Sequence, residues 1–115
     1  MTKRENQMKA IPMIVKEGDL VECSVEESTH LKINIPGPSG MLVLPVIRSG
    51  TRDETPCWTW NGDTARPTLR PSLLTRMEWK EPPVVCHSFV NDGFVEFLSD
   101  STHSFAGQTV PLIDV

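Results

Sequence analysis

The stretch CHSFVNDGFVEFLSDSTH, residues 86–103, decides the fold class of this chain. Two runs rich in apolar residues flank Asn-Asp-Gly, which is a strong local signal for two antiparallel strands joined by a tight turn. Ionisable and polar side chains stand at both ends of the stretch, Cys-His at its start and Asp-Ser-Thr-His at its end. The stretch therefore predicts a β-hairpin whose open end carries chemically reactive groups.

The register of this hairpin decides which side chains share a face, because successive strand residues point to opposite faces. We predict a loop over Asn91–Gly93 in which the glycine supplies the positive φ. This register pairs Phe89 with Val95 and sorts the residues better than an Asp-Gly turn, which would set polar residues opposite apolar ones. It also pairs His87 with Phe97, so we expect His87 to lie among apolar neighbours near the open end.

The rest of the chain indicates further strands and turns. Strand-like patterning is found in IPMIVKE (11–17), DLVECSV (19–25), HLKINI (30–35) and, after a turn rich in Pro and Gly, MLVLPVI (41–47). Residues 49–56 are expected to form a surface loop. Ten prolines argue against long helices. We predict a single all-β domain over residues 1–115, a small twisted sheet or open barrel with one short helical turn near 102–106.

Composition excludes several classes of function. Eleven basic and fifteen acidic residues give a net charge of −4, and no basic cluster is present, so we expect no nucleic-acid binding. No apolar run approaches the ~20 residues that a membrane-spanning helix needs, and the first residues are too polar for a signal peptide. We expect a cytoplasmic protein whose three cysteines are reduced thiols.

Several reactive side chains are expected to converge at the open end of the hairpin. The returning strand ends near Ser99, and Asp100, Ser101 and His103 follow at once. A helical turn beginning there would bring Asp100 and His103 to one side. His87 lies only a few residue steps away along the neighbouring strand. We therefore predict that the two imidazoles share a solvent-reachable hollow with the Asp100 carboxylate.

Two kinds of chemistry fit such a cluster. One is a zinc site with His87, His103 and Asp100 as ligands and Cys86 as a fourth candidate, since zinc takes imidazole, carboxylate and thiolate ligands. This spacing matches no established zinc motif. The alternative to a zinc site is that the protein binds no cofactor.

The second kind of chemistry is nucleophilic catalysis by a serine. A serine hydroxyl needs an adjacent base, and the base needs an orienting carboxylate. His87 or His103 would be the base and Asp100 the orienting group, with Ser72 or Ser101 as the nucleophile. A purely structural role for these residues is the alternative to both the zinc site and the serine nucleophile, because a histidine on an apolar strand face is commonly a hydrogen-bonded core residue.

The tryptophans allow two readings as well. Trp58 and Trp60 would share one face of a strand, where they would add apolar mass to the core or to an edge. Exposed tryptophans would instead form an aromatic platform for a peptide or a nucleic-acid base, and the shortage of positive charge disfavours the base.

Four motifs in order resemble a family of short, uncharacterised proteins of bacteria and phages. These motifs, spread from Trp58 to Leu112, are WTWNGD, RPTLRPSLL, CHSFVNDG and EFLSDSTHSFAGQTVPL. Some relatives are encoded beside bacterial ubiquitin-like conjugation enzymes, and the resemblance implies a peptidase or deconjugating enzyme. The polar positions it marks are Asn61, Asp63, Thr68, Ser72, Cys86, His87, Asp100, Ser101 and His103. Many relatives carry a Cys-Pro-x-Cys knuckle where this chain has IPGPSG, without either thiol, and relatives often have Cys at position 101.

Residues and resemblance together predict a hydrolase of peptide or ester bonds that acts on a protein or peptide, such as a ubiquitin-like tail. The alternatives are a non-catalytic phage accessory protein that binds a host protein, and a structural oligomer, for example a homodimer, built by pairing of strand edges. We expect no membrane partner, and a location in the host cytoplasm if the protein is phage-encoded.

Overall fold

The computed structural model describes residues 8–47 and 57–115, so the predicted loop at 49–56 lies outside the described residues. The described part is all-β, as predicted. Its strands are β1 (Ala10–Lys16), β2 (Asp19–Glu22), β3 (His30–Ile35), β4 (Gly40–Ile47), β5 (Trp58–Trp60), β6 (Leu69–Met77), β7 (Val84–Asn91), β8 (Phe94–Phe97) and β9 (Thr109–Pro111). None of these described residues belongs to a helix that could cross a membrane.

The strands form one mixed sheet in the order β2-β1-β3-β4-β5-β6-β7-β8-β9. Neighbouring strands are antiparallel except for β4 and β5, which are parallel. The sheet curls without closing into a barrel. Beyond β9 the chain returns to the first half of the sheet, where Ile113 forms an isolated bridge with Asn34 of β3.

The core lies on the inner side of the curl. In β3 every second residue is buried, which confirms the period-two pattern of HLKINI. Burial of this apolar surface is the main stabilising contribution, at about 25 cal/mol per Å². The largest buried apolar side chains are Trp60, Leu31, Ile33, Ile35, Leu69, Leu112, Val90 and Val95.

The predicted register of the β7–β8 hairpin is wrong. The hairpin turns on Asp92 and Gly93 alone, with φ of 54° and 83°, the backbone that a type I′ turn requires. Val90 therefore pairs with Val95, and Ser88 with Phe97. The polar–apolar pairing that argued against this register is tolerated, since a serine is small enough to be buried opposite a phenylalanine.

This register reverses the predicted faces of β7. Cys86, Ser88 and Val90 point into the core, whereas His87 is only partly buried on the other side. We call that other side of β6 and β7 the outer face; it carries Ser72, Leu74, Arg76, Val85, His87 and Phe89.

The helical turn predicted near 102–106 is not a helix. Instead, the N–H of Ala106 donates to the carbonyl of His103 at 3.1 Å, and that of Gln108 donates to the carbonyl of Phe105 at 2.9 Å. Each bond closes a single turn, and no helical ladder continues from them.

The polar residues of the WNGD and RPT motifs build a loop that supports the hairpin. The Asn61 side-chain oxygen accepts the N–H groups of Asp63 and Thr68, at 3.3 and 3.1 Å. The Thr68 hydroxyl in turn accepts the Asp92 N–H at 2.9 Å, and Gly93 donates to the carbonyl of Pro67 at 3.0 Å. The side chains of Asn61 and Thr68 thus hold the backbone of this loop and of the β7–β8 turn, and the Asp63 carboxylate accepts the N–H groups of Ala65 and Arg66.

Candidate catalytic site

Ser72, His87 and Asp100 form one continuous chain of hydrogen bonds. Ser72 Oγ lies 3.0 Å from His87 Nε2. On the other side of the ring, His87 Nδ1 lies 2.9 Å from Asp100 Oδ2 and 3.1 Å from Oδ1. Ser72 is half-buried, the His87 side chain is 23% exposed and the Asp100 side chain is 64% exposed, so all three can be reached from solvent.

The partners of His87 fix its tautomer. An ionised carboxylate only accepts hydrogen bonds, so the ring nitrogen that faces Asp100, Nδ1, must carry the proton. In the neutral ring Nε2 then presents a lone pair, which can accept a hydrogen bond from the Ser72 hydroxyl 3.0 Å away. A hydroxyl donating to a neutral, carboxylate-oriented imidazole is the arrangement that activates a serine nucleophile.

The sheet brings Ser72 to His87 through a local irregularity in β6. Pairing of β6 with β7 shifts between Leu69 and Leu73, so that three residues of β6 stand against Phe89 alone. This segment includes the cis peptide bond before Pro71. Beyond the shift Leu74 pairs with His87, which makes Ser72 the diagonal neighbour of His87 on the outer face.

Trp58 holds the backbone of Ser72. Its indole N–H donates to the Ser72 carbonyl at 3.2 Å. Trp58 is partly buried and packs against the core, Trp60 is buried, and Thr59 between them is exposed. The reading of Trp58 and Trp60 as packing residues on one face is therefore confirmed, and Trp58 has a second contact that the sequence pattern does not reveal.

Asp100 reaches His87 because the segment after β8 is fastened along β7. The Leu98 N–H donates to the His87 carbonyl at 2.8 Å, and the Thr102 N–H donates to the Val85 carbonyl at 2.9 Å. Thr102 Oγ1 also accepts the Val85 N–H at 2.8 Å. Asp100 stands between these two attachments and projects beside the imidazole.

Ser101 bonds the backbone of His87 and not its ring. Its hydroxyl accepts the His87 N–H and donates to the His87 carbonyl, both at 3.0 Å. The residue is 7% exposed. It occupies the position of a missing strand neighbour, since β8 has already ended at Phe97. Of the two serines considered as nucleophiles, Ser72 contacts an imidazole and Ser101 clamps the strand that carries it.

His103 lies in an aromatic cluster. Its ring is 4.8 Å from that of Phe97 and 6.0 Å from that of Phe105, measured between centroids. Its Nδ1 accepts the Phe105 N–H at 3.2 Å. Burial lowers the pKa of the His103 imidazole. Among the residues that the structure describes, its buried Nε2 has no hydrogen-bond partner.

The four residues considered as zinc ligands therefore separate into three environments. His87 pairs with Asp100, His103 packs on aromatic rings, and the buried Cys86 points to the core side of β7. Within residues 8–47 and 57–115, no three His, Cys, Asp or Glu side chains come together as a metal-binding group.

The roles of Ser101 and Trp58 could not be assigned from sequence. One signal was available for Ser101, since a serine directly after an acidic residue at a strand end is well placed to bond a neighbouring backbone. Trp58 gave no such signal, because its contact with Ser72 depends on the pairing of β5 with β6.

Comparison with known protein families gives a match over residues 10–98 to the model described as bacterial ubiquitination-like system serine protease (BubE). No curated protein and no solved structure matches the chain. The matched residues span most of the 115-residue chain and include Ser72 and His87, while Asp100 and Ser101 lie two and three residues beyond the match. The chain therefore belongs to the BubE family of serine proteases of bacterial ubiquitination-like systems.

Proposed function

We propose that this protein is a serine hydrolase in which Ser72 is the nucleophile, His87 the general base and Asp100 the residue that orients His87. The observation that carries the proposal is the unbroken chain from Ser72 Oγ to His87 Nε2, at 3.0 Å, and from His87 Nδ1 to Asp100 Oδ2, at 2.9 Å. Membership of a serine protease family supports the same chemistry.

The reaction takes two steps. Ser72 Oγ forms a bond to the substrate carbonyl carbon as its proton moves to His87 Nε2; collapse of the tetrahedral intermediate breaks the bond to the leaving nitrogen or oxygen, which takes that proton. Water then attacks the acyl-enzyme and gives a proton to Nε2, and Ser72 Oγ leaves and recovers it. One water is consumed, and free carboxylic acid and leaving group are released.

The supporting residues hold this geometry. Trp58 fixes the backbone of the nucleophile through the Ser72 carbonyl, and Ser101 fixes the backbone of the base through both its polar groups. Neither side chain needs to touch the substrate. Because small displacements of catalytic groups are costly in rate, we assign Trp58 and Ser101 positioning roles.

The family supports a protein as the substrate. A serine protease of a ubiquitination-like system acts on proteins, and we propose that it cleaves the peptide or ester bond at the tail of a ubiquitin-like protein, as a deconjugating or processing enzyme. The partly exposed, open site suits a substrate that is itself a folded protein with a flexible tail. We place this activity in the cytoplasm.

Hydrolysis of matched ester and amide derivatives of one acyl chain tests the proposal. Wild type should hydrolyse both derivatives and release the leaving group of the ester in a burst, because an ester acylates the serine faster than water hydrolyses the acyl-enzyme; Ser72→Ala should abolish the release. Ser101→Ala should retain measurable turnover, and a zinc chelator should leave the wild-type rate unchanged. Turnover by Ser72→Ala equal to that of wild type, or loss of all turnover with the chelator, would contradict the proposed mechanism.

A further inference from the structure

The outer face of β6 and β7 continues as an apolar surface from the candidate site towards the turn that joins these two strands, residues 78–83, which we call the hairpin tip. Leu74 pairs directly with His87 across the strands and is 57% exposed. One step further, Val85 stands on the same face opposite Arg76. Directly opposite side chains lie about 5 Å apart, so Leu74 borders the imidazole itself.

A groove at the hairpin tip extends this surface. It has a volume of about 610 Å³ and is lined by Trp79, Lys80, Glu81, Pro82 and Pro83 of the tip together with Val84 and Thr102. Trp79 is 78% exposed, more than any other large apolar side chain of the described residues. Thr102 connects the groove to the candidate site, because it lies two residues after Asp100 and is bonded to Val85.

The charged side chains of this surface come in both signs, which favours an occupant without net charge; Lys80 and Glu81 both line the groove. Arg76, the basic residue on the path between Leu74 and the tip, is paired with Glu78 at 2.6 Å. On the opposite side of Ser72 the face is polar, because the Arg70 guanidinium lies 5.3 Å from the Phe89 ring centroid and donates to Asn91 Oδ1 at 3.0 Å. The two sides of the nucleophile therefore differ, and the apolar one leads to Trp79.

We propose that this surface, from Leu74 to Trp79, binds the acyl side of the substrate as an extended apolar tail. The inference rests on the proposed function. An acyl group bonded to Ser72 must pass over one side of the face, and it stays bound through both steps, whereas the leaving group departs after the first. From Ser72 to Met77 the strand spans roughly 17 Å, so about five extended residues reach the tip. The occupant is a flexible tail of a protein, with aliphatic side chains.

Two active-site probes test this binding mode. One is a small alkyl fluorophosphonate, and the other is a peptidyl phosphonate with a five-residue aliphatic extension on the acyl side. Wild type should react faster with the extended probe. Trp79→Ala and Leu74→Ser should each slow that reaction by about tenfold, as expected for loss of one large apolar contact, and Trp79→Ala should leave the small-probe rate unchanged.

Met41→Ala is the matched control, since Met41 is also exposed, at 51%, but lies on β4. It should change neither rate. Equal rates of the two probes on wild type, or equal slowing of both by Trp79→Ala, would overturn the tail-binding surface alone. Failure of wild type to react with either probe would overturn the proposed function and this surface with it.

Discussion

The Ser101 hydroxyl bonds both the backbone N–H and the backbone carbonyl of His87, each at 3.0 Å. The residue before it, Asp100, bonds the ring of the same histidine. One short segment after β8 therefore fixes both the main chain and the imidazole of the proposed base. This double attachment explains how a chain of 115 residues can hold a three-residue catalytic arrangement on an open sheet face.

Ser101→Ala is expected to lower kcat on a small ester by about tenfold without changing KM, because the His87 N–H loses its partner and the base is less well held. Ser101→Cys should fall between Ala and wild type, since a thiol is a weak donor and acceptor. Steady-state kinetics well below the melting temperature measures both.

Thr102→Val is the control for Ser101. It removes the bond from Val85 N–H to Thr102 Oγ1 in the same segment, but the backbone bond from Thr102 N–H to the Val85 carbonyl remains and still fastens the segment that carries Asp100. It should cost about 1–3 kcal/mol of stability, as Ser101→Ala does, but should keep kcat. Equal loss of kcat in both variants would reduce Ser101 to a merely structural residue.

Asp100→Asn is expected to lower kcat about 10²-fold or more, because a neutral amide no longer selects the His87 tautomer with its proton on Nδ1. Asp92→Asn is a matched control, since Asp92 is exposed at the β7–β8 turn, where its φ of 54° also suits asparagine. Kinetics on the ester substrate measures both, and similar activity of the two variants would count against an orienting role for Asp100.

Ser88→Ala is expected to stabilise the fold by about 1 kcal/mol without affecting activity. The Ser88 hydroxyl is buried in the core, and within the described part of the chain it has no hydrogen-bond partner. Removing a buried, unpaired polar group relieves its desolvation cost. Chemical denaturation measures the change. A loss of stability would mean that the hydroxyl has a partner in the folded protein.

His103 should make stability depend on pH. Burial lowers its pKa in the folded protein below the unfolded value of 6.5, so the unfolded chain binds more protons as the medium becomes acidic. The stabilising contribution is complete above about pH 6.5 and is lost as pH falls through the folded pKa. Protonation also ends acceptance of the Phe105 N–H by Nδ1.

Denaturation of wild type and His103→Phe between pH 8 and pH 5 measures this dependence. Phenylalanine fills the aromatic cluster without titrating, so the difference in unfolding free energy between the two proteins should shift in favour of the variant as pH falls. A difference that is constant across the range would show that His103 titrates alike in the folded and unfolded states.

The sequence predicted the β-sheet and the site to different depths. Alternation in β3 and the Asn-Asp-Gly turn are local signals, and both elements formed where they were expected. The register was missed, because tolerance of Ser88 in the core depends on the packing around it. Local turn geometry decided the pairing instead, through the positive φ of Asp92 and Gly93.

The sequence predicted which residues belong to the site, but not which of them bond to one another. The hydrogen bond between Ser72 and His87 depends on the register shift in β6. No pattern in the sequence RPTLRPSLL predicts that shift. The same sequence therefore left Ser72 and Ser101 as equal candidates. A helical turn after β8 would have brought His103 close to His87. Two separate turns instead direct the His103 ring towards Phe97 and Phe105.

The central claim is that Ser72 is the nucleophile, and the direct measurement is the position of a covalent adduct. Protein treated with an alkyl fluorophosphonate is digested, and the modified residue is located by peptide mass spectrometry. The account predicts one adduct on Ser72 Oγ, absent from Ser72→Ala and strongly reduced in His87→Ala. An adduct on Ser101, or labelling of Ser72→Ala to the same extent as wild type, would contradict it.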